Sequence, residues 1–160
     1  MALVLVDVKT PEEQSIHRIT DNIYLGNKWA REYVEKNDIK RVIEIGEKDE
    51  IDEYLKIECD KLTLFLKDSR DSDIESHFKK SWDYIDSSKT PILIHCKVGT
   101  SRSPTILISY LISRKGYSLN SALETIKKVR KENIYTHPNT GFLKALKRLE
   151  KDCSKNEKNN

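Results

Sequence analysis

The stretch His95-Cys96-Lys97-Val98-Gly99-Thr100-Ser101-Arg102-Ser103-Pro104 constrains this chain more than any other. The apolar run Pro91-Ile92-Leu93-Ile94 enters it as a short strand, and Thr105-Ile106-Leu107-Ile108-Ser109-Tyr110-Leu111-Ile112 leaves it as a buried helix. A strand–loop–helix junction aims several backbone N–H groups at one point, where the helix macrodipole also favours negative charge. Such a junction suits a bound phosphate, and it holds a cysteine as thiolate.

Bulk properties add limits. A chain of 160 residues suits one domain with a real core. A net charge of +3 does not argue for nucleic acid, and none is expected as a partner. The apolar Ala2–Val6 is too short for a signal peptide or a membrane span, so no membrane association is expected. Three cysteines without paired spacing give neither a disulfide framework nor a zinc pattern. The expected setting is reducing, cytoplasmic or nuclear, with no metal and no cofactor.

Alternating elements follow along the chain. Ile16–Ile19 and Ile23–Gly26 read as strands around an Asp21-Asn22 turn, followed by a short helix from Trp29 to Lys36. Lys40–Gly46 and Leu62–Leu66 read as further strands, with a loop or helical turn over Glu47–Glu53 between them. Ile74, Phe78, Trp82 and Ile85 recur every three to four positions and mark one face of a helix from Asp73 to about Ser87. Gly116 ends the helix after the loop, Ser118 caps the next, and a last helix starts near Asn139. The expected fold is α/β, a domain over 16–151 preceded by an extension over 1–15. A polar, disordered tail is expected over 152–160.

Within the loop each residue type has a use. Cysteines before helix N-termini have pKa values of roughly 3.5–7.5, although a cysteine alone is more often an inert buried side chain. Arg102 can hold two phosphoryl oxygens through parallel hydrogen bonds. Gly99 permits positive φ and close backbone approach. Ser103 can donate to the cysteine sulfur or cap the helix. Lys97, Val98, Gly99, Thr100, Ser101 and Arg102 are the expected phosphate-binding positions.

The pattern His-Cys-x-x-Gly-x-Ser-Arg-Ser resembles the active-site motif of the cysteine-dependent dual-specificity protein phosphatases. Ile19–Asn27 is similar to that family's opening strand, and His137-Pro138-Asn139-Thr140-Gly141-Phe142-Leu143 to the start of its last helix. The resemblance spans roughly residues 16–150 and implies a mixed five-stranded sheet flanked by helices. By the same resemblance His95 bonds backbone and tunes the cysteine. Asn139 either braces the loop or caps the last helix.

A thiolate nucleophile needs an acid for the leaving oxygen, worth typically ~10²–10⁴-fold. Asp68, Asp71 and Asp73 lie upstream. The family places its acid just after a strand and about ten residues before an aromatic on the next helix, which selects Asp68, with Asp71 second and Asp73 better suited to a helix cap. The implied reaction has two steps: Cys96 takes the phosphoryl group while Asp68 protonates the departing oxygen, and water then hydrolyses the cysteinyl-phosphate. Phosphorylated proteins are the expected partners of a monomer or weak dimer. An RNA 5′-triphosphate or a phosphoinositide is the alternative substrate, although RNA-directed relatives carry Asn-Arg-Thr where this chain has Ser101-Arg102-Ser103. A phosphoprotein-binding module is a third reading, and such relatives usually lack the cysteine. Three features remain open. Glu44 stands where relatives commonly have asparagine, and either supports the loop or faces solvent. Lys97 makes the rim more positive. Cys59 is a candidate oxidation partner for Cys96.

Overall fold

The computed structural model describes residues 9–158. Strands β1 (Ile16–Arg18), β2 (Ile23–Gly26), β3 (Arg41–Gly46), β4 (Asp60–Phe65) and β5 (Ile92–His95) form one sheet in the order β1-β2-β5-β3-β4. The edge strand β1 pairs antiparallel to β2, and every other pairing is parallel. The helices are α1 (Lys48–Glu53), α2 (Phe78–Asp86), α3 (Arg102–Lys115), α4 (Leu119–Arg130) and α5 (Thr140–Lys158). The mixed five-stranded sheet with flanking helices is the architecture read from the sequence.

Period-two alternation sorts the strand residues onto two faces. Ile23, Leu25, Ile43, Ile45, Leu64, Ile92 and Ile94 enter the main core with α2, α3, α4 and α5. Val42 and Leu93 face the other way and form a smaller cluster with Ile16, Ala30 and Ile39. Glu44 and His95 alternate onto that second face. Helix α3 is buried from Arg102 to Ile112 because α2, α4, α5 and the sheet surround it. Parallel pairing puts the ends of β2, β3, β4 and β5 along one edge, where ligands of open α/β sheets bind.

Several boundaries differ from the sequence reading. The expected helix over Trp29–Lys36 is a 3-10 helix, Lys28–Tyr33, started by Asn27, whose side chain accepts from Trp29 N. The helix expected from Asp73 opens as a 3-10 turn, Glu75–His77, before α2 begins. The disordered tail expected from Asp152 is corrected: α5 runs without a break to Lys158. Its extra turns are anchored because Leu149 and Cys153 pack on the main core and Glu150 accepts from Leu119 N at 2.5 Å. Within the expected N-terminal extension, residues 9–15 fold back on the body, Ser15 O accepting from Asn27 N at 3.1 Å. Residues 1–8 lie outside the described part. Among the described residues no helix is long and apolar enough to cross a membrane.

Candidate active site

The loop after β5 is shaped by where its carbonyl groups go. Cys96 O faces His95 Nδ1 at 3.1 Å, and Lys97 O accepts from Lys28 N at 3.0 Å. Gly99 O accepts from Arg130 Nη1 at 2.6 Å, and Thr100 O from His137 N at 2.7 Å. Ser101 O takes the Thr105 hydroxyl at 2.7 Å. With these carbonyls drawn outward, the peptide N–H groups turn inward, and that of Gly99 donates to Cys96 Sγ at 3.2 Å. Gly99 sits at φ +85, and a Cβ there would lie 3.0 Å from Gly26 O, so a side chain is excluded twice over.

Cys96 is buried at the floor of this ring. The Ser103 hydroxyl has one proton to give, and Sγ at 3.1 Å is nearer than Gly26 O at 3.4 Å. Ser103 is the second residue of α3 and not its cap, a position that belongs to Ser101. The hydroxyl lies within hydrogen-bond reach of both the sulfur and Gly26 O.

Arg102 opens α3 with its guanidinium held from behind. Nη1 donates to Glu50 Oε1 at 2.7 Å and to Leu66 O at 3.0 Å, and Nη2 donates to Glu50 Oε2 at 3.1 Å. Of the five N–H groups, Nε–H and one on Nη2 remain, both on one edge and spaced to take two oxygens of a phosphoryl group. Burial opposes the charge on Arg102, but the hydrogen bond to Glu50 and the field of Cys96 outweigh it and keep the group firmly cationic. Reciprocally, Arg102 holds the Glu50 carboxyl below the usual range. Glu50 is fixed by its own helix, where it closes a capping box with Glu47.

Behind the loop lies a buried polar chain on the second face of the sheet. Thr63 Oγ1 donates to Glu44 Oε1 at 2.6 Å, and Arg31 Nη1 donates to Glu44 Oε2 at 2.9 Å. The same Nη1 lies 3.2 Å from His95 Nε2. Burial pushes the His95 imidazole down to about 3, so it is neutral. The neutral ring donates from Nδ1 to Cys96 O and accepts at Nε2. Glu44, left open by the sequence, is thus a buried support beneath the nucleophile. Tyr54 meets His95 edge-on at 4.9 Å and donates to Ile45 O at 2.8 Å.

Arg130, at the end of α4, is fully buried beside the loop. Apart from Gly99 O its only partner is Thr136 Oγ1 at 3.3 Å, and Nε and Nη2 have none among the described residues. Burial lowers it to about 10 against the opposing pull of Cys96. Arg31 and Arg102 each face a carboxylate; Arg130 faces the sulfur's field instead.

The three upstream aspartates separate clearly. Asp68, exposed just after β4, accepts from Asn139 Nδ2 at 2.8 Å. Asn139 also caps α5, its Oδ1 accepting from Phe142 N at 2.9 Å, while its own N–H donates to Ser101 Oγ at 2.9 Å. Bracing and capping are therefore one arrangement. Gly141 lets α5 approach this segment, since a Cβ there would collide with the Arg70 backbone. Asp73 accepts from Ser76 N at 3.2 Å as a turn cap, and Asp71 is exposed.

Cys59 precedes β4 at the opposite end of the sheet from Cys96. Five residues of strand at ~3.3 Å each exceed the ~7 Å Cα limit of a disulfide, so the suggested pairing is corrected. Among the described residues no three His, Cys, Asp or Glu side chains gather as metal ligands.

The family model described as "Dual specificity phosphatase, catalytic domain" matches residues 23–152. The chain belongs to the dual specificity phosphatase family. Dual specificity protein phosphatase 5 of Rattus norvegicus is 39% identical over 90 residues, covering 54% of this chain and 23% of that protein. Dual specificity protein phosphatase 1 of Arabidopsis thaliana is 39% identical over 87 residues, covering 52% of this chain and 42% of that one. The chain thus spans less than half the length of these relatives. Among solved structures, the human tyrosine phosphatase-like serine/threonine/tyrosine-interacting protein superposes with a TM-score of 0.78 at 22% identity, over 87% of this chain and 97% of that one. Human DUSP28 gives 0.76 at 20% identity, over 92% and 97%. At such identities these two show the shared fold.

Proposed function

We propose that this chain is a protein phosphatase that removes phosphate from phosphotyrosine and from phosphoserine or phosphothreonine through a cysteinyl-phosphate. The observation that carries this reading is the pairing of Cys96 Sγ, bonded by Ser103 and Gly99, with the free edge of Arg102. Membership of the dual specificity phosphatase family supports it.

The Cys96 thiolate attacks phosphorus in line, and the leaving oxygen departs with the proton of Asp68. Inward N–H groups of Lys97, Val98, Gly99, Thr100, Ser101 and Arg102, together with the guanidinium, hold the three non-bridging oxygens in both steps. Asp68, now ionised, takes a proton from water as that water attacks the cysteinyl-phosphate. Inorganic phosphate leaves, and the thiolate returns with the Ser103 hydroxyl to stabilise it.

Phosphorylated proteins are the substrates, and the chain acts as a monomer or weak dimer in a reducing compartment, cytoplasm or nucleus. Three unpaired cysteines support that setting. The test is hydrolysis of an aryl phosphate and of matched phosphotyrosine and phosphothreonine peptides. Vanadate inhibition and loss of turnover in Cys96→Ser are expected. Asp68→Ala, and not Asp71→Ala, should cut turnover about 10²–10⁴-fold. Full activity in Cys96→Ser overturns the reading.

A further inference from the structure

Large apolar side chains exposed to solvent are few among the described residues: Trp29, Leu55, Phe65, Val98 and Tyr135. Three of these five, Trp29, Val98 and Tyr135, line one cleft of about 510 Å³ together with Ile134 and Thr100. Scattered exposed apolar residues need no explanation, but a cluster beside a polar site marks a binding surface.

Both walls of this cleft hang from the phosphate loop. On one side Lys28 N donates to Lys97 O at 3.0 Å, and Asn27 Oδ1 holds Trp29 N at 2.9 Å. On the other side His137 N donates to Thr100 O at 2.7 Å, and Tyr135 stacks on the His137 ring at 5.6 Å. Val98, on the floor, is itself a loop residue, one position from the N–H that bonds Sγ. The aromatic walls are thereby held at a fixed offset from wherever the phosphoryl group binds.

Charge narrows the occupant. Among the described residues no carboxylate lines the cleft, and Lys9 does. Lys28 Nζ sits 4.8 Å over the Trp29 ring, and the exposed Lys97 adjoins Val98. An anionic chain bearing an apolar side chain fits such a surface.

We propose that this cleft is a specificity subsite that takes a large aromatic or branched apolar side chain flanking the phosphorylated residue of an acidic protein segment. The proposal rests on the phosphatase reading above. It adds a preference that the phosphate loop alone does not supply.

The test is a set of acidic phosphopeptides, in phosphotyrosine and phosphothreonine versions, scanned with Phe, Leu, Ala or Lys on either side of the phosphorylated residue. Wild-type kcat/KM should favour Phe or Leu over Ala by about tenfold at one flanking position. Trp29→Ala and Tyr135→Ala should each flatten that preference while hydrolysing an aryl phosphate at the wild-type rate. A preference that survives both substitutions overturns the proposal, as does a wild type that hydrolyses every peptide alike. Peptide binding to Cys96→Ser, read by Trp29 emission in a Trp82→Phe background, separates the two levels. Tighter binding of the Phe peptide than the Ala peptide there, with no hydrolysis by wild type, leaves the subsite standing and sinks the phosphatase reading.

Discussion

The Glu50 carboxylate grips the Arg102 guanidinium at both ends, Oε1 to Nη1 at 2.7 Å and Oε2 to Nη2 at 3.1 Å. A helix that follows β3 thus sets the angle of a side chain that opens α3, and leaves only the outer edge of the guanidinium free of these partners. Hydrogen bonds to charged groups contribute about 1.5–3 kcal/mol. Glu50→Ala should lower kcat/KM on an aryl phosphate by about 10- to 100-fold while Cys96 still reacts with iodoacetamide. Steady-state kinetics beside alkylation rates check this.

Asn139 serves Asp68 and α5 at once, so two substitutions should part its roles. Asn139→Ala loses the cap, with a stability loss of about 1 kcal/mol in urea unfolding, and frees Asp68. Asn139→Asp keeps the cap but sets a like charge beside Asp68, which disfavours its ionisation. The alkaline limb of the kcat profile should then move to higher pH, and further than in Asn139→Ala, which only removes the hydrogen bond to Asp68.

His95 is neutral in the fold because burial pushes it down to about 3, whereas the unfolded ring titrates near its ordinary 6.5. Between these values the unfolded state binds one more proton than the folded state. Stability should therefore fall as pH drops below 6.5, by up to about 1.4 kcal/mol per pH unit from this group. Urea unfolding at pH 7.5 and pH 5 should show a smaller difference for His95→Gln than for the wild type.

Among the described residues Arg130 is a buried cation without a carboxylate, held by Gly99 O and supported by the field of Cys96. Arg130→Gln keeps a donor for Gly99 O and removes the charge, so iodoacetamide should alkylate Cys96 several-fold more slowly at pH 6. Arg130→Lys should retain most of the wild-type rate. Because burying an unpaired charge opposes folding, Arg130→Gln should not lower Tm.

Local pattern made much of this legible. The apolar runs of β3 and β5, the α2 stripe and the Gly116 and Ser118 boundaries all arise from neighbours in sequence. The loop from Cys96 to Ser103 was readable because it is contiguous. Glu50, Arg31 and Arg130 were not, because parallel pairing brings the ends of β2, β3 and β5 together from distant parts of the chain, and nothing local marks a charged residue as buried. Glu44 could have been suspected: in Val42-Ile43-Glu44-Ile45 a lone charge sits inside a continuous apolar run. The length of α5 was hidden because its last turns are polar, and only Leu149 and Cys153 reach the core.

In the proposed reaction phosphorus passes through Cys96. Asp68→Ala, offered an aryl phosphate whose leaving group needs no proton, should complete the first step and stall in the second. Acid quench and peptide mass analysis should then find one phosphoryl group on Cys96, formed with a burst of the released phenol. Steady hydrolysis by Cys96→Ser at the wild-type rate, with no phosphoryl group on any peptide, would contradict the account.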